Sequence, residues 1–366
     1  MYMNILHVTN TISEGGVESF LLQLLPQLNR HHKCSLFVLN KNKIDMASMF
    51  MNNGVPVIHN KYKSIYNPLV VLHLFGIAKN YDVIHSHLFP TQYYTAVLKL
   101  LFLFTNKKIK FVTTEHCTTN KRRRPLFKLI EKLVYSSYNK IIGVSDAATQ
   151  NLKKWIDISD NKVVTIHNGI DIRSILSASS YSKATFGIPE EQFVLCMTAR
   201  FFEQKDHSSL IKAMQFLPDN IVLLLIGSGN KFEESIKLCE TLKLQNRIKF
   251  LGRRRDVYSI IKLADICILS THYEGFPVSI LEYFCAGKPV IATNVDGVNE
   301  MLDDSSLLCN PNDPHDLACK ILNLSMDNNK MNKESERNRM IIEKYSLENM
   351  TENYLQIYEC LFEQLK

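Results

Sequence analysis

Short apolar, β-branched runs alternate with longer amphipathic stretches along most of the chain. In the first half, Asn4–Val8, Ser35–Leu39, Val83–His85, Lys110–Thr113, Lys140–Val144 and Val163–His167 predict strands. Helical periodicity falls between them, at Val17–Leu28, Pro68–Lys79, Thr91–Phe104, Leu126–Ser136 and Ala147–Trp155. This βαβα rhythm predicts a parallel sheet covered by helices on both faces. The serine-rich segment Asp171–Pro189 interrupts it and reads as a linker. The rhythm then restarts, with strands at Phe193–Thr198, Ile221–Ile226, Ile248–Leu251, Ile266–Leu269 and Val290–Ala292. Helices are predicted at His207–Leu217, Phe232–Leu242, Val257–Ala264 and Val278–Cys285, and a last amphipathic stretch covers Leu347–Leu365.

The expected architecture is therefore α/β, with two Rossmann-like, doubly wound parallel-sheet domains facing across a cleft. The first covers 1–172, a linker 173–189, the second 190–345, and a final helix 346–366 packs back toward the first domain. Ligands of such sheets bind at the carboxyl ends of the strands, which places the expected site between the domains. A chain of 366 residues, 46% hydrophobic and 22% charged, is long enough for two cores and unlike a disordered chain.

Charge adds an asymmetry. Residues 1–175 carry a net +12 and the remainder −5, with the excess around Lys107–Lys110 and Lys121–Arg124. Such a face suits something anionic: a membrane surface, a lipid diphosphate or nucleic acid, unless it is merely solvated. No nucleic-acid module accompanies the basic run, so nucleic acid is not an expected partner. Nine scattered cysteines without C-x-x-C spacing read as buried thiols in a reducing compartment. The N-terminus runs straight into a strand, and the longest apolar stretch falls far short of a spanning helix, so a cytoplasmic location is expected.

The sharpest chemistry lies in His272-Tyr273-Glu274-Gly275-Phe276-Pro277-Val278-Ser279-Ile280-Leu281-Glu282. It joins a strand to a helix whose free N–H groups suit a phosphate. Glu274 in the turn and Glu282 one turn inside the helix can accept sugar hydroxyls. Either glutamate alone would read as an ordinary turn or surface residue. Arg200 and Lys205 follow the first strand of the second domain, where a guanidinium and an ammonium can meet a departing diphosphate. Gly15 and Gly16, within Glu14–Glu18, open the first helix and let a ligand approach the backbone. Their spacing is not the G-x-G-x-x-G of dinucleotide oxidoreductases. His85 and His87 share one face of a strand, and His116 ends another. With no third ligand evident, His85 and His87 read as cleft-lining residues, not a metal site.

Glu274-x7-Glu282, Glu274–Pro277, Ala286–Thr293, Gly297–Glu300, Gly227–Gly229 and Phe250–Gly252 resemble family 4 retaining glycosyltransferases of the GT-B fold, over nearly the whole chain. The resemblance extends to bacterial capsular and exopolysaccharide members. It implies that Glu274 and the backbone of Gly275, Phe276 and Pro277 meet the donor sugar, with Val278 and Ser279 at the same helix start. Glu282 would bind the ribose hydroxyls, and residues from Gly252 onward the base. It also implies that Arg200 and Lys205 stabilise the leaving diphosphate, and that His116 faces the donor sugar. Gly15 and Gly16 would line the acceptor side, and His87 is placed there as well. Ala199, where the family more often has glycine, and Glu115 are departures.

The activity so implied moves a hexose-type unit from a nucleoside diphosphate, uracil being the expected base, to a hydroxyl of a glycan or lipid-diphosphate-linked acceptor. Configuration is retained, and contact with an anionic membrane is peripheral, at the inner face. The chain has no Asp-x-Asp, the spacing with which many sugar transferases hold a divalent cation, so no metal or other cofactor is expected. The alternatives are a nucleotide-sugar epimerase on the same fold and a non-catalytic relative that only binds.

Overall fold

The computed structural model describes residues 2–13, 15–120 and 122–364. Glu14 of the glycine loop, Lys121 of the basic run and Leu365 of the last helix lie outside the described residues. The chain forms two compact units, Met1–Gly169 with Leu347–Lys366, and Ile170–Ser346.

In the first unit, strands β1 (Asn4–Thr9), β2 (Lys33–Val38), β3 (Val57–His59), β4 (Val83–His87), β5 (Lys110–Glu115), β6 (Lys140–Gly143) and β7 (Val163–Thr165) form one sheet. Its order is β3-β2-β1-β4-β5-β6-β7, and every described pairing is parallel. The chain runs outward from β1 in one direction, then returns through β4 to build the other half. Between β1 and β4 lies the topological switch point, where crossover loops diverge and leave a crevice. Both faces are covered, so every residue of β4 is buried. The helix Leu347–Glu363 belongs to this unit and buries Met350, Tyr354, Leu355, Tyr358 and Leu361 in the core formed with the helix Gly16–Leu28.

The second unit repeats the plan. Strands β8 (Phe193–Thr198), β9 (Ile221–Ile226), β10 (Ile248–Gly252), β11 (Ile266–Leu269), β12 (Val290–Thr293) and β13 (Leu308–Cys309) are ordered β10-β9-β8-β11-β12-β13, with the switch point between β8 and β11. The segment expected as a linker carries a helix, Ile172–Ser177, and a 3-10 turn, Lys183–Phe186. Asp171 caps that helix, accepting the Ser174 N–H at 3.1 Å.

Elements absent from the sequence reading are β3, β13, and the helices Ala47–Asn52, Pro314–Ser325 and Asn328–Ile341; of these Pro314–Ser325 carries a legible stripe, burying Leu317, Ala318, Ile321 and Leu324. β3 and β13, of three and two residues, give no period to detect. Asn328–Ile341 is polar almost all round and buries Glu334 and Asn338, so no apolar stripe marks it.

Candidate active site

At the second switch point, the loops after β8 and β11 are stitched together. The His272 N–H donates to the Gln204 carbonyl (2.9 Å) and the Asp206 N–H to the Ser270 carbonyl (3.0 Å). The Thr271 hydroxyl lies 3.0 Å from the Gln204 carbonyl oxygen and shares its one proton between that acceptor and Glu274. This brace brings Lys205 and Glu274, 69 residues apart in sequence, into a direct ion pair. The Glu274 carboxylate accepts a second hydrogen bond from the Thr271 hydroxyl at 2.8 Å, and is buried. A carboxylate so held is rigid, which suits a group that must orient a ligand. Arg200 is exposed on the same loop, its guanidinium 5.0 Å from the centre of the Phe202 ring. Beside them opens a cavity of about 230 Å³, bordered by Phe202, Lys205, Lys231 and His272.

Gly275, Phe276 and Pro277 are buried and lead into the helix Val278–Cys285, with Pro277 as an extended N-cap whose own side chain caps nothing. Val278 and Ser279 are half-buried in its first turn. Tyr283 ties this helix to the end of β8: its hydroxyl oxygen accepts the Thr198 N–H at 2.7 Å. Gly297 underlies the turn, with φ 82°. A Cβ there would lie 2.4 Å from the Gly275 carbonyl oxygen, so space and backbone conformation both demand glycine. The Gly275–Pro277 backbone is thus set by a residue 20 positions downstream. Gly229, at φ 156°, faces the loop after β8 in the same way, where a Cβ would meet the Phe201 carbonyl at 2.3 Å. Gly227 packs against the Ala199 carbonyl, where a Cβ would lie 2.0 Å from the oxygen.

Glu282 is half-buried, and burial raises its pKa to about 7. Gly252 ends β10 in the left-handed region, with φ 62°.

In the first unit, Gly15 caps the helix Gly16–Leu28 in an extended conformation, and the Thr11 hydroxyl donates to Glu18 at 2.7 Å. His85 and His87 do share a face, their rings 4.4 Å apart and 17° from parallel. His87 is fully buried, so it is not itself a lining residue. Its Nδ1 lies 3.0 Å from His116 Nε2, and its Nε2 lies 3.0 Å from His7 Nδ1. His116 is half-buried just beyond β5, and burial lowers its pKa to about 3. Glu115 is held by the Tyr135 hydroxyl, which donates to it, and burial raises its pKa.

Sequence reading missed His7, Tyr358, Gln204 and Thr271. His7 had a legible signal, being polar within an apolar strand and, through the β1–β4 register, directly beside His85. It supplies the third imidazole that the sequence left missing: His7, His85 and His87 place ring nitrogens within 4.8 Å of one another. The basic run is partly internal. Arg122 pairs with buried Glu131 at 2.9 Å and covers the Phe89 ring, and Arg123 donates to the Thr118 carbonyl.

Two doubly wound parallel sheets, the second with cations and a helix N-terminus gathered at its switch point, define a GT-B glycosyltransferase. Residues 14–174 match "Glycosyltransferase Family 4" and residues 180–344 match "Glycosyl transferases group 1". The chain belongs to glycosyltransferase family 4. It is 24% identical over 337 residues to the N-acetyl-alpha-D-glucosaminyl L-malate synthase of Bacillus anthracis, covering 84% of this chain and 88% of the relative. It is 23% identical over 261 residues to the UDP-Gal:alpha-D-GlcNAc-diphosphoundecaprenol alpha-1,3-galactosyltransferase of Escherichia coli (67% and 66% covered). Among solved structures, Anabaena HepE in complex with UDP and glucose shares the fold, with TM-score 0.83 and 20% identity over 99% of this chain and 100% of that one.

Proposed function

We propose that this glycosyltransferase moves a hexose-type unit from a UDP-sugar to a hydroxyl of a lipid-diphosphate-linked or glycan acceptor in surface polysaccharide assembly, retaining configuration and using no metal. The observation that carries the reading is the braced Lys205–Glu274 pair beside Arg200 and the open N-terminus of the helix Val278–Cys285. As the bond from the anomeric carbon to the diphosphate breaks, negative charge grows on the leaving group. Lys205, Arg200 and the helix N–H groups are fixed positive groups that meet that charge. The resemblance implies a same-face reaction in which the leaving phosphate assists deprotonation of the acceptor. Glu274 holds a sugar hydroxyl, Glu282 the ribose, the backbone near Gly252 the base, and His116 the donor sugar; Gly15 and Gly16 serve the acceptor. Uracil is supported by the UDP donor of the Escherichia coli relative and the UDP bound to HepE. Calorimetric titration of UDP, GDP and ADP with EDTA present tests the reading. UDP binding in EDTA, weakened on the order of tenfold in Glu282→Ala, is expected; no binding of any nucleotide at millimolar concentration would sink it.

Glu282 adds a pH dependence. Accepting two ribose hydroxyls requires the carboxylate, and burial holds its pKa at about 7. UDP affinity should therefore rise between pH 6 and 8 and level off above. Folding runs the other way. The unfolded carboxyl ionises near 4.5, the folded one near 7, so ionising Glu282 destabilises the fold as pH rises through that window. Glu282→Gln should melt higher than the wild type at pH 8 while binding UDP more weakly; a lower melting temperature at pH 8 refutes the buried-carboxylate account.

The lipid side of the proposal rests on the helix Lys128–Ser137 and the turn before it. Leu126 and Leu133 are 83% and 65% exposed, and Leu129 is exposed between them. Lys128, Lys132 and Arg124 flank this apolar stripe, and Phe104 is exposed just beyond the helix Thr91–Phe102. Apolar side chains interleaved with cations suit the interface of an anionic bilayer. No helix among the described residues is long and apolar enough to cross one. The chain should float with phosphatidylglycerol vesicles at low salt, and Leu129→Asp with Leu133→Asp should lower the bound fraction at least about tenfold. A wild-type chain left in the pellet fraction at low salt would remove membrane docking from the proposal.

A further inference from the structure

The second link in the histidine cluster is a tyrosine from the far end of the chain. Tyr354 and Tyr358 sit four residues apart on the buried face of the helix Leu347–Glu363. The Tyr358 oxygen lies 2.6 Å from His85 Nδ1 and 3.5 Å from His7 Nε2. On its other side His85 Nε2 lies 2.8 Å from the Thr114 hydroxyl.

We infer that Tyr358, His7 and His87 form a one-way hydrogen-bond relay that sets the tautomer of His116, giving it a proton on Nε2 and a bare lone pair on Nδ1. The inference rests on the assignment of His116 to the donor sugar, whose hydroxyl that lone pair would accept. Tyr358, His7 and His87 are then positioning residues that never touch the substrate.

Burial sets most of the first condition, with neighbouring imidazoles also lowering His85 and His87. It lowers His7 and His116 to about 3 and His85 and His87 well below their ordinary range, so all four rings are neutral at pH 7. A neutral imidazole has one N–H and one lone pair, so it donates on one side and accepts on the other. Each nitrogen–nitrogen contact needs one of each. The row His7–His87–His116 therefore has only two registers, and fixing one end fixes the other.

Tyr358 fixes it. Burial raises its phenol pKa well above the usual value, so it keeps its single proton. That proton goes to the short contact with His85 Nδ1. The phenol oxygen then faces His7 Nε2 with lone pairs only, so His7 must donate there and accept at Nδ1. His87 Nε2 donates to it, His87 Nδ1 accepts, and His116 Nε2 donates. The opposite register would place the only phenol proton on the 3.5 Å contact and have His85 donate across the 2.6 Å one. A phenol is the stronger donor of the two, and the shorter contact belongs to it.

The same rings do not suit a metal ion. His7 and His87 meet edge to edge, with planes 12° apart and centroids 5.3 Å apart. Their 3.0 Å nitrogen separation therefore lies along the axis of an N–H···N bond. A tetrahedral ion at ~2.0–2.1 Å from each nitrogen would need them farther apart and angled toward a common point.

The test is nitrogen NMR on the full-length chain labelled with 15N-histidine. Long-range proton–nitrogen correlations distinguish protonated from bare ring nitrogens, and His116→Gln identifies the His116 signals. Nε2 should be protonated and Nδ1 bare. Tyr358→Phe should release the register, giving averaged nitrogen shifts, and should lower kcat roughly tenfold while the nucleotide Kd stays unchanged. If Tyr358→Phe does not fold, His7→Leu cuts the same chain and carries the same expectation. A wild-type His116 protonated on Nδ1, or a tautomer unmoved in both variants, overturns the relay, as would zinc shifting the His7, His85 and His87 signals. A fall in melting temperature alone, with the tautomer intact, would leave Tyr358 a purely structural residue and also overturns it. Should His116→Ala keep full turnover, the sugar-binding assignment fails instead, and the tautomer measurement still decides the relay.

Discussion

Replacing Arg200 with alanine should lower kcat by about two to three orders of magnitude and leave the melting temperature almost unchanged. The reasoning is geometric. Arg200 is exposed, and its guanidinium rests against the exposed ring of Phe202, so its removal opens no cavity. In the proposed mechanism it meets charge that exists only as the sugar–diphosphate bond breaks, and an interaction made mainly in the transition state appears in kcat. Lys205→Ala should behave differently. It removes the ammonium proposed to meet the leaving group and also strands the Glu274 carboxylate, which is only 7% exposed. Removing one partner of a buried pair costs about 3–5 kcal/mol. Here the low end applies, because the Thr271 hydroxyl still reaches Glu274 at 2.8 Å. Lys205→Met with Glu274→Gln should recover most of that stability and none of the activity. Steady-state kinetics beside thermal melts of the four chains decide it. If Arg200→Ala keeps kcat within about fivefold, the loop after β8 is not the leaving-group site.

Periodicity was strong enough to place the long strands and helices, because parallel strands buried on both faces are nearly continuous apolar runs. β9, Ile-Val-Leu-Leu-Leu-Ile, is buried at every position. It could not place β3 or β13, or a helix whose buried positions are Glu334 and Asn338. The site divides along the same line. Glu274, Gly275 and Glu282 stand in one contiguous run and could be read directly. The pairing of Lys205 with Glu274 could not, since it depends on which strands lie side by side at the switch point. The histidines show the limit most clearly. Two of them were visible as a period-two pair, but the partner that matters, His7, lies 80 residues from His87, and Tyr358 lies 273 from His85. Only the strand order β1-β4-β5 and the return of the last helix bring them together.

That cluster should also make the first unit acid-labile in a window well above the usual carboxylate range. His7, His85 and His87 are fully buried and neutral in the folded chain, while in the unfolded chain each protonates near 6.5. Between that value and the folded pKa, about 3 for His7, the unfolded state binds more protons, so stability rises with pH and falls as the solution is acidified. At pH 5 this costs about 2 kcal/mol for His7, and His85 and His87 act in the same direction. The depressed carboxyls act elsewhere. Asp256 and Asp304, each held at about 2 by a neighbouring cation, lose their contribution only below about pH 4, and both are partly exposed. The two causes are therefore separable by pH. Hydrogen exchange resolved along the sequence should show amides of β1, β4 and the helix Leu347–Glu363 losing protection between pH 7 and 5, after correction for the intrinsic rate. Those of β9 in the second unit should change far less, because His207, lowered to about 4 against Phe201, is that unit's one strongly shifted imidazole among the described residues. Equal loss in both units would mean that general charge repulsion, not the buried row of imidazoles, sets the acid limit.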